Sequence, residues 1–239
     1  MDDRQEVVTP GMLEALPAPV RRYLTYTGVV GYPWIHSVRL KQAGTFRLGA
    51  GRPWMPFSAD ETYTTDPPSL TWNARFKLAG LPLLRARDQY KEGHGHMYGK
   101  LAGLMTVFDA RGKELDQATM IRYLNEIMWF PTAFLGPNIA WEERDEHSAQ
   151  VTFSDQGKSV SAQVFFDDVG RMTNFSTMRY RKIEGEYSLD PWSTPMTGYG
   201  ELAGLKLPTR GRAVWHLPDG DLPYADLEVT EIAYNSAGA

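Results

Sequence analysis

The sequence predicts a mainly β fold: a single large curved antiparallel sheet, or half-barrel, of about ten strands. One amphipathic helix covers its concave face, and short helices precede it. Three observations lead there. Period-two alternation of apolar and polar residues recurs in both halves of the chain. Clusters of Asp and Gly separate the alternating runs, and only one later stretch has a clear helical period. Composition agrees, since 12% of the residues are aromatic and the chain holds 22 Gly and 16 Pro, the turn formers.

Thr9-Pro10 starts a short helix, Pro17-Ala18-Pro19 interrupts it, and Val20 to Tyr26 continues as a second. Gly28 and Gly31-Tyr32-Pro33 end that leader. The period then changes. Val38, Leu40 and Gln42 alternate with charged residues. Phe57, Ala59, Glu61 and Tyr63 share one face of the next run, then Leu70, Trp72, Ala74 and Phe76, then Leu84, Ala86, Asp88 and Tyr90. Each reads as a half-buried strand. His94 to Val107 makes a fifth. Later strands cover Val160 to Phe166, Met172 to Lys182, Tyr199 to Leu207, Arg212 to Leu217 and Tyr224 to Tyr234. The turns Asp109 to Lys113, Asp155 to Lys158, Asp168 to Arg171 and Asp219-Gly220 read as hairpins, which makes neighbouring strands antiparallel.

The helix reads from Asp116, as N-cap, to Phe130. Met120, Ile121, Leu124, Ile127 and Met128 form its stripe, Arg122 and Glu126 lie outside it, and Pro131 stops it. No composition break divides the chain. The expected organisation is a leader over residues 1–33 packed on one half-barrel domain over 34–239, with the helix at 116–130.

The chain has 239 residues, 25 basic and 29 acidic side chains and a formal charge of -4, so no basic stripe exists for nucleic acid. The absence of Cys excludes disulfides, thiolate nucleophiles and Cys-based metal sites. Met1 to Glu6 contains no apolar segment, and no run of about 18 apolar residues follows, so a cytoplasmic protein without a membrane span is expected.

Arg87-Asp88-x-Tyr90, Gly93-x-Gly95-x-Met97, Asp109-Ala110-x-Gly112-Lys113-Glu114-x-Asp116-Gln117, Arg122-Tyr123-Leu124-x-Glu126 and Trp129-Phe130-Pro131-Thr132-Ala133-x-Leu135 resemble an uncharacterised bacterial family of about this length. The likeness runs from Leu16 to Tyr234, and the Trp-Phe-Pro-Thr-Ala run is its most specific piece. It implies a shared fold and brings no activity or catalytic residues. The order of elements also looks like the lipoprotein-carrier fold, in which an incomplete barrel covered by a helix holds acyl chains. Those carriers work in the periplasm.

His94 and His96, two apart on a strand, have a spacing that can chelate a metal, but no third ligand is near and Lys100 continues their face, so no metal is expected. His36, His147 and His216 read as isolated. Glu61, Asp88 and Glu231 each fall on an apolar strand face. There they serve either as an acid or base or, more ordinarily, as ion pairs with Arg85, Arg87, Arg122 or Arg179. Gly-x-Ser-x-Gly, the P-loop and the dinucleotide fingerprint are missing, and Gly93-x-Gly95 precedes no helix, so no cofactor is expected.

The aromatic set is the strongest signal. A sheet of this size encloses more volume than one helix stripe fills, which leaves an apolar pocket with Met55, Met97, Met105, Met120, Met128 and Met178 as adaptable lining. The expected function is binding or carrying a hydrophobic small molecule, acyl or polycyclic. Trp72, Phe76, Tyr90, Met97, Leu124, Met128, Trp129 and Phe130 would line the pocket, and Arg87 or Arg122 would hold any polar head. Two alternatives stay open. One is a cofactor-free cyclase, isomerase or hydrolase with Glu61 or Asp88 as acid or base. The other is a protein-interaction module with a filled core. Oligomeric state is not readable.

Overall fold

The structure, a computed structural model, describes residues 6–78 and 80–236. Six strands form the first meander: β1 (Ser37–Phe46), β2 (Met55–Thr65), β3 (Pro68–Leu78), β4 (Leu81–Lys91), β5 (His94–Leu101) and β6 (Met105–Ala110). The second contains β7 (Ile139–Asp145), β8 (Ser148–Asp155), β9 (Lys158–Phe166), β10 (Met172–Ile183), β11 (Glu186–Ser193), β12 (Met196–Leu202), β13 (Leu205–Leu217) and β14 (Gly220–Tyr234). Their order is β6-β5-β4-β3-β2-β1-β14-β13-β11-β10-β9-β8-β7, with β12 paired beside β13, and every pairing is antiparallel. The half-barrel expected from the alternation is present, with fourteen strands among the described residues rather than about ten.

The additional strands have identifiable origins. His94 to Val107 divides into β5 and β6 because Ala102 and Gly103 both take positive φ, 51° and 75°, and turn the chain back. Ile139 to Asp155 folds as the β7–β8 hairpin although its turn, Glu146-His147, lacks Gly. Asp109 to Lys113 is no hairpin: it carries β6 into the helix, with Gly112 at φ 123° as N-cap.

Of the leader, residues 1–5 lie outside the described residues. A 3-10 turn covers Pro10–Leu13, and α1 spans Ala18–Thr27, ended by Gly28 at φ 78°. Tyr23 of α1 is fully buried against Phe134 and Phe166, and its hydroxyl donates to the Met128 carbonyl at 3.1 Å.

The covering helix, α2, spans Lys113–Glu126, and Ile127–Trp129 continues as a 3-10 turn. It therefore starts three residues before the expected Asp116 and ends before Phe130. Asp116 is not its N-cap but lies in the first turn, where its carboxylate accepts from Gly95 N–H at 2.8 Å and Lys158 Nζ at 2.7 Å. Burial works to raise the Asp116 pKa, yet the Lys158 ammonium and the Gly95 N–H outweigh it and hold the group below its ordinary value. The chain leaves the sheet at edge strand β6 and rejoins it at the opposite edge, β7, so α2 crosses the open side. It touches β4 and β5 on one arm and β9 and β10 on the other. Contact on both sides buries almost the whole helix, including Glu126, which the stripe had placed outside. Gly95 permits the close approach, because a Cβ there would stand 2.6 Å from the Leu115 carbonyl oxygen.

The Trp129-to-Ala133 run works as a clasp. Trp129 Nε1 donates to the Pro208 carbonyl at 2.9 Å, Tyr234 OH donates to the Trp129 carbonyl, and Thr132 Oγ1 accepts from Ile35 N–H at 3.1 Å.

Candidate functional site

Strand register writes the cavity in rows. Partners across β1 to β5 are Leu40, Glu61, Trp72, Asp88 and Met97 in one row, and Gln42, Ala59, Ala74, Ala86 and Gly99 in the next. Gly44, Phe57, Phe76, Leu84 and Leu101 form a third. The middle row is a trough of small side chains beside a ridge of large ones. With α2 held across the opening, that trough and the central strands line a partly open cavity of about 480 Å³. Its back wall is a continuous aromatic series. Neighbouring ring centroids stand 6.4 Å apart for Trp192–Trp215, 5.9 Å for Trp215–Tyr224, 5.4 Å for Tyr224–Phe46, 5.5 Å for Phe46–Phe76, 5.7 Å for Phe76–Phe57 and 5.9 Å for Phe57–Trp72. All seven rings line the cavity.

A guanidinium caps each end of the series. Arg122 of α2 lies 4.8 Å over Trp72, and Arg179 of β10 lies 4.7 Å over Trp192. Trp72 sits on β3 between Glu61 on β2 and Asp88 on β4, so one fork can reach both carboxylates. Arg122 Nη2 donates to Glu61 at 2.8 Å, Nη1 to Asp88 at 2.9 Å, and Nε to Glu126, one turn on, at 3.0 Å. Tyr63 OH donates to the other Glu126 oxygen at 3.0 Å. Three buried carboxylates thus share one cation. Burial, and then the neighbouring Glu126, push Glu61 well above the ordinary carboxylate range despite Arg122. Burial also raises Glu126, against the pull of Arg122. Glu61 Oε2 has no hydrogen-bond partner among the described residues.

The residues expected at a site divide as follows. Trp72, Phe76, Met97, Arg122, Met128, Trp129 and Asp88 line the cavity. Four of the expected lining residues do not. Arg87 follows the strand alternation to the convex side, opposite Leu84, Ala86 and Asp88, so it cannot hold a head group inside. Tyr90 is on the concave face but packs on Tyr123 and Phe153 beyond α2, with its hydroxyl on Asp155. Leu124 is buried under the helix away from the cavity, and Phe130 stacks on Tyr63 at 5.0 Å. Glu61 reaches Arg122 from behind and is not part of the lining. Glu231 is exposed and paired with Lys41 at 2.7 Å, because a bulge where β14 meets Gln42 reverses the alternation after Val229. Met105 and Met178 face solvent, and Met120 is core.

Four of the five histidines face a carboxylate, His147 meeting Asp168 at 3.5 Å. His94 faces Asp116 at 3.4 Å and His96 faces Asp109 at 2.9 Å with Arg111 on its other nitrogen. His216 is not isolated: Nε2 meets Ser193 Oγ at 2.8 Å and Nδ1 meets Asp221 at 2.7 Å. This Ser–His–Asp series has nucleophilic geometry, but Ser193 is 3% exposed and belongs to the convex side of its strand, outside the cavity. Sequence reasoning also passed over Gln42, Phe46, Trp215 and Tyr224 as lining. Their signal was available only through register.

A family model described as "Family of unknown function (DUF6544)" matches residues 6–227. The chain belongs to the DUF6544 family. That family spans the part of the sequence whose motifs pointed to an uncharacterised family. No curated protein matches the chain. Among solved structures, the DUF6544 chain is similar to a DUF1329 family protein from Desulfovibrio piger ATCC 29098 at 11% identity, with a TM-score of 0.50 over 98% of this chain and 96% of that one. It is also similar to a LolA superfamily protein from Nitrosomonas europaea at 8% identity, with a TM-score of 0.47 over 97% of this chain and 95% of that one. The first likeness shows a shared fold. No helix among the described residues is long and apolar enough to cross a membrane.

Proposed function

We propose that this protein binds and carries a hydrophobic small molecule in the cavity between α2 and the sheet. The observation that carries the reading is the volume itself: about 480 Å³, partly open, lined by the seven-ring series and by Met55, Met97 and Met128. That size suits one small-molecule ligand, and rings with thioethers accept varied apolar shapes. Glu61, Asp88 and Glu126 serve in this reading to fix Arg122 over Trp72 and so to hold the cavity wall, rather than to act on the ligand. The reading is independent of cellular compartment.

The test uses the protein's own tryptophans, four of which line the cavity, with a neutral polarity-sensitive dye such as N-phenyl-1-naphthylamine. Saturable binding is expected in the wild type and is lost in Ala86→Phe, which puts a ring into the trough. Absence of binding across dyes and apolar ligands, or binding that ignores Ala86→Phe, refutes the proposal.

A further inference from the structure

The two guanidiniums that close the aromatic wall are in opposite electrical states. Arg122 is over-compensated by three carboxylates. Arg179 is 9% exposed, and among the described residues no carboxylate stands within 4.0 Å of it. Its partners are neutral: Nε donates to the Ala118 carbonyl at 3.1 Å and Nη1 to Tyr224 OH at 3.2 Å. A buried cation without a counter-charge is costly unless something else supplies one.

Tyr224 adds a second, independent sign. Its hydroxyl oxygen already accepts two hydrogen bonds, from Arg179 and from Trp192 Nε1 at 3.1 Å. Its own O–H proton is therefore left to donate, and no acceptor for it exists among the described residues. Both residues line the cavity. At this point the wall offers guanidinium N–H and phenol O–H donors, and the carboxylate opposite Arg179 in register, Asp190, is bound to Arg181 at 3.0 Å. Lining cations Arg47 and Lys182 stand toward the same side, over Trp54 and Tyr187.

We propose that the ligand is a single-chain amphiphile whose anionic oxygen head, a carboxylate or a phosphate monoester, sits against Arg179 and Tyr224. Its apolar body lies along the aromatic wall toward Trp72. The inference rests on the cavity-binding reading and deepens it. Orientation follows from charge: the carboxylates around Arg122 repel an anion, and Arg179 attracts it. A charge-assisted contact is the strong kind of hydrogen bond.

The experiment is titration of the full chain, followed by tryptophan fluorescence, with four ligands of one chain length: dodecanoate, dodecyl phosphate, dodecan-1-ol and dodecyltrimethylammonium. At least one anion is expected to bind about tenfold or more tighter than the alcohol, and the cation more weakly than either. The order of the two anions tells carboxylate from phosphate. Arg179→Gln is expected to bring the anions down to the affinity of the alcohol, while Arg179→Lys keeps part of the difference. Tyr224→Phe, which keeps the ring on Trp215, is expected to weaken the preferred anion about fivefold. Equal affinity for alcohol and anions, or a preference that survives both Arg179→Gln and Tyr224→Phe, overturns this inference and leaves the cavity reading standing. Failure of all four ligands to bind sinks the cavity reading itself.

Discussion

Arg122→Gln removes the cation that pairs with Glu61, Asp88 and Glu126, all three buried. Breaking a buried pair by deleting one partner costs about 3–5 kcal/mol, because the other charge stays behind unpaired. For a chain of this length that corresponds to a melting point lower by about 6 to 20 °C. The loss depends on pH, and its direction follows from the carboxylates. Burial and Glu126 raise the folded-state pKa of Glu61, so its favourable contribution is complete below the unfolded value, about 4.3, and is lost as pH rises through the raised folded value. Without the guanidinium that folded value climbs further, and more of the range near neutrality becomes unfavourable. Thermal melts followed by circular dichroism at pH 5 and pH 8 should show the deficit of Arg122→Gln widening toward pH 8. A deficit equal at both pH values, or below about 1 kcal/mol, would mean that Arg122 merely packs on Trp72 and that the cluster is no electrostatic unit.

Other changes probe neighbouring parts of the same arrangement. Glu61→Gln imitates the protonated acid, so it should stay within about 1 kcal/mol of wild type at pH 5 and become the more stable form at pH 8; a loss that grows with pH contradicts the raised pKa. Gly95→Ala drives a methyl into the Leu115 carbonyl and the Thr119 hydroxyl, and urea unfolding should register a loss of about 1–3 kcal/mol. Asp116→Asn gives up the ionic contact with Lys158 at 2.7 Å, with an expected cost of about 1.5–3 kcal/mol at pH 7. Because the Asp116 pKa is held low, that cost should fade as pH falls through the folded value; a cost that persists in strong acid speaks against it.

Much of the architecture was legible because alternation is a local property. Phe57, Ala59, Glu61 and Tyr63 are buried in turn along β2, as their spacing requires, and the same rule puts Asp88 inward. It also puts Arg87 outward, so assigning that residue to the pocket conflicted with its own strand. Local rules failed where a single extra residue intervened: the bulge in β14 sends Glu231 to solvent. Helix amphipathicity failed for another reason. A helix touching two arms of a sheet has no free side, so Arg122 and Glu126, which fall outside the apolar stripe, are the centre of the charged cluster. The Arg179 corner could not be read in advance. Arg179, Trp192 and Tyr224 come from β10, β11 and β14, and only the sheet order brings them within hydrogen-bonding reach.

Pairing of β1 with β14 places the chain's first and last strands at the middle of the sheet, where Asn235 accepts from the His36 amide 199 residues away. The central seam is thus the final stitch. During synthesis the first meander must wait with β1 bare on one flank until the closing strand emerges, which makes folding slow and the waiting half vulnerable to foreign strands. The same seam gives the cavity its back wall, so the cavity exists only once β14 has been made.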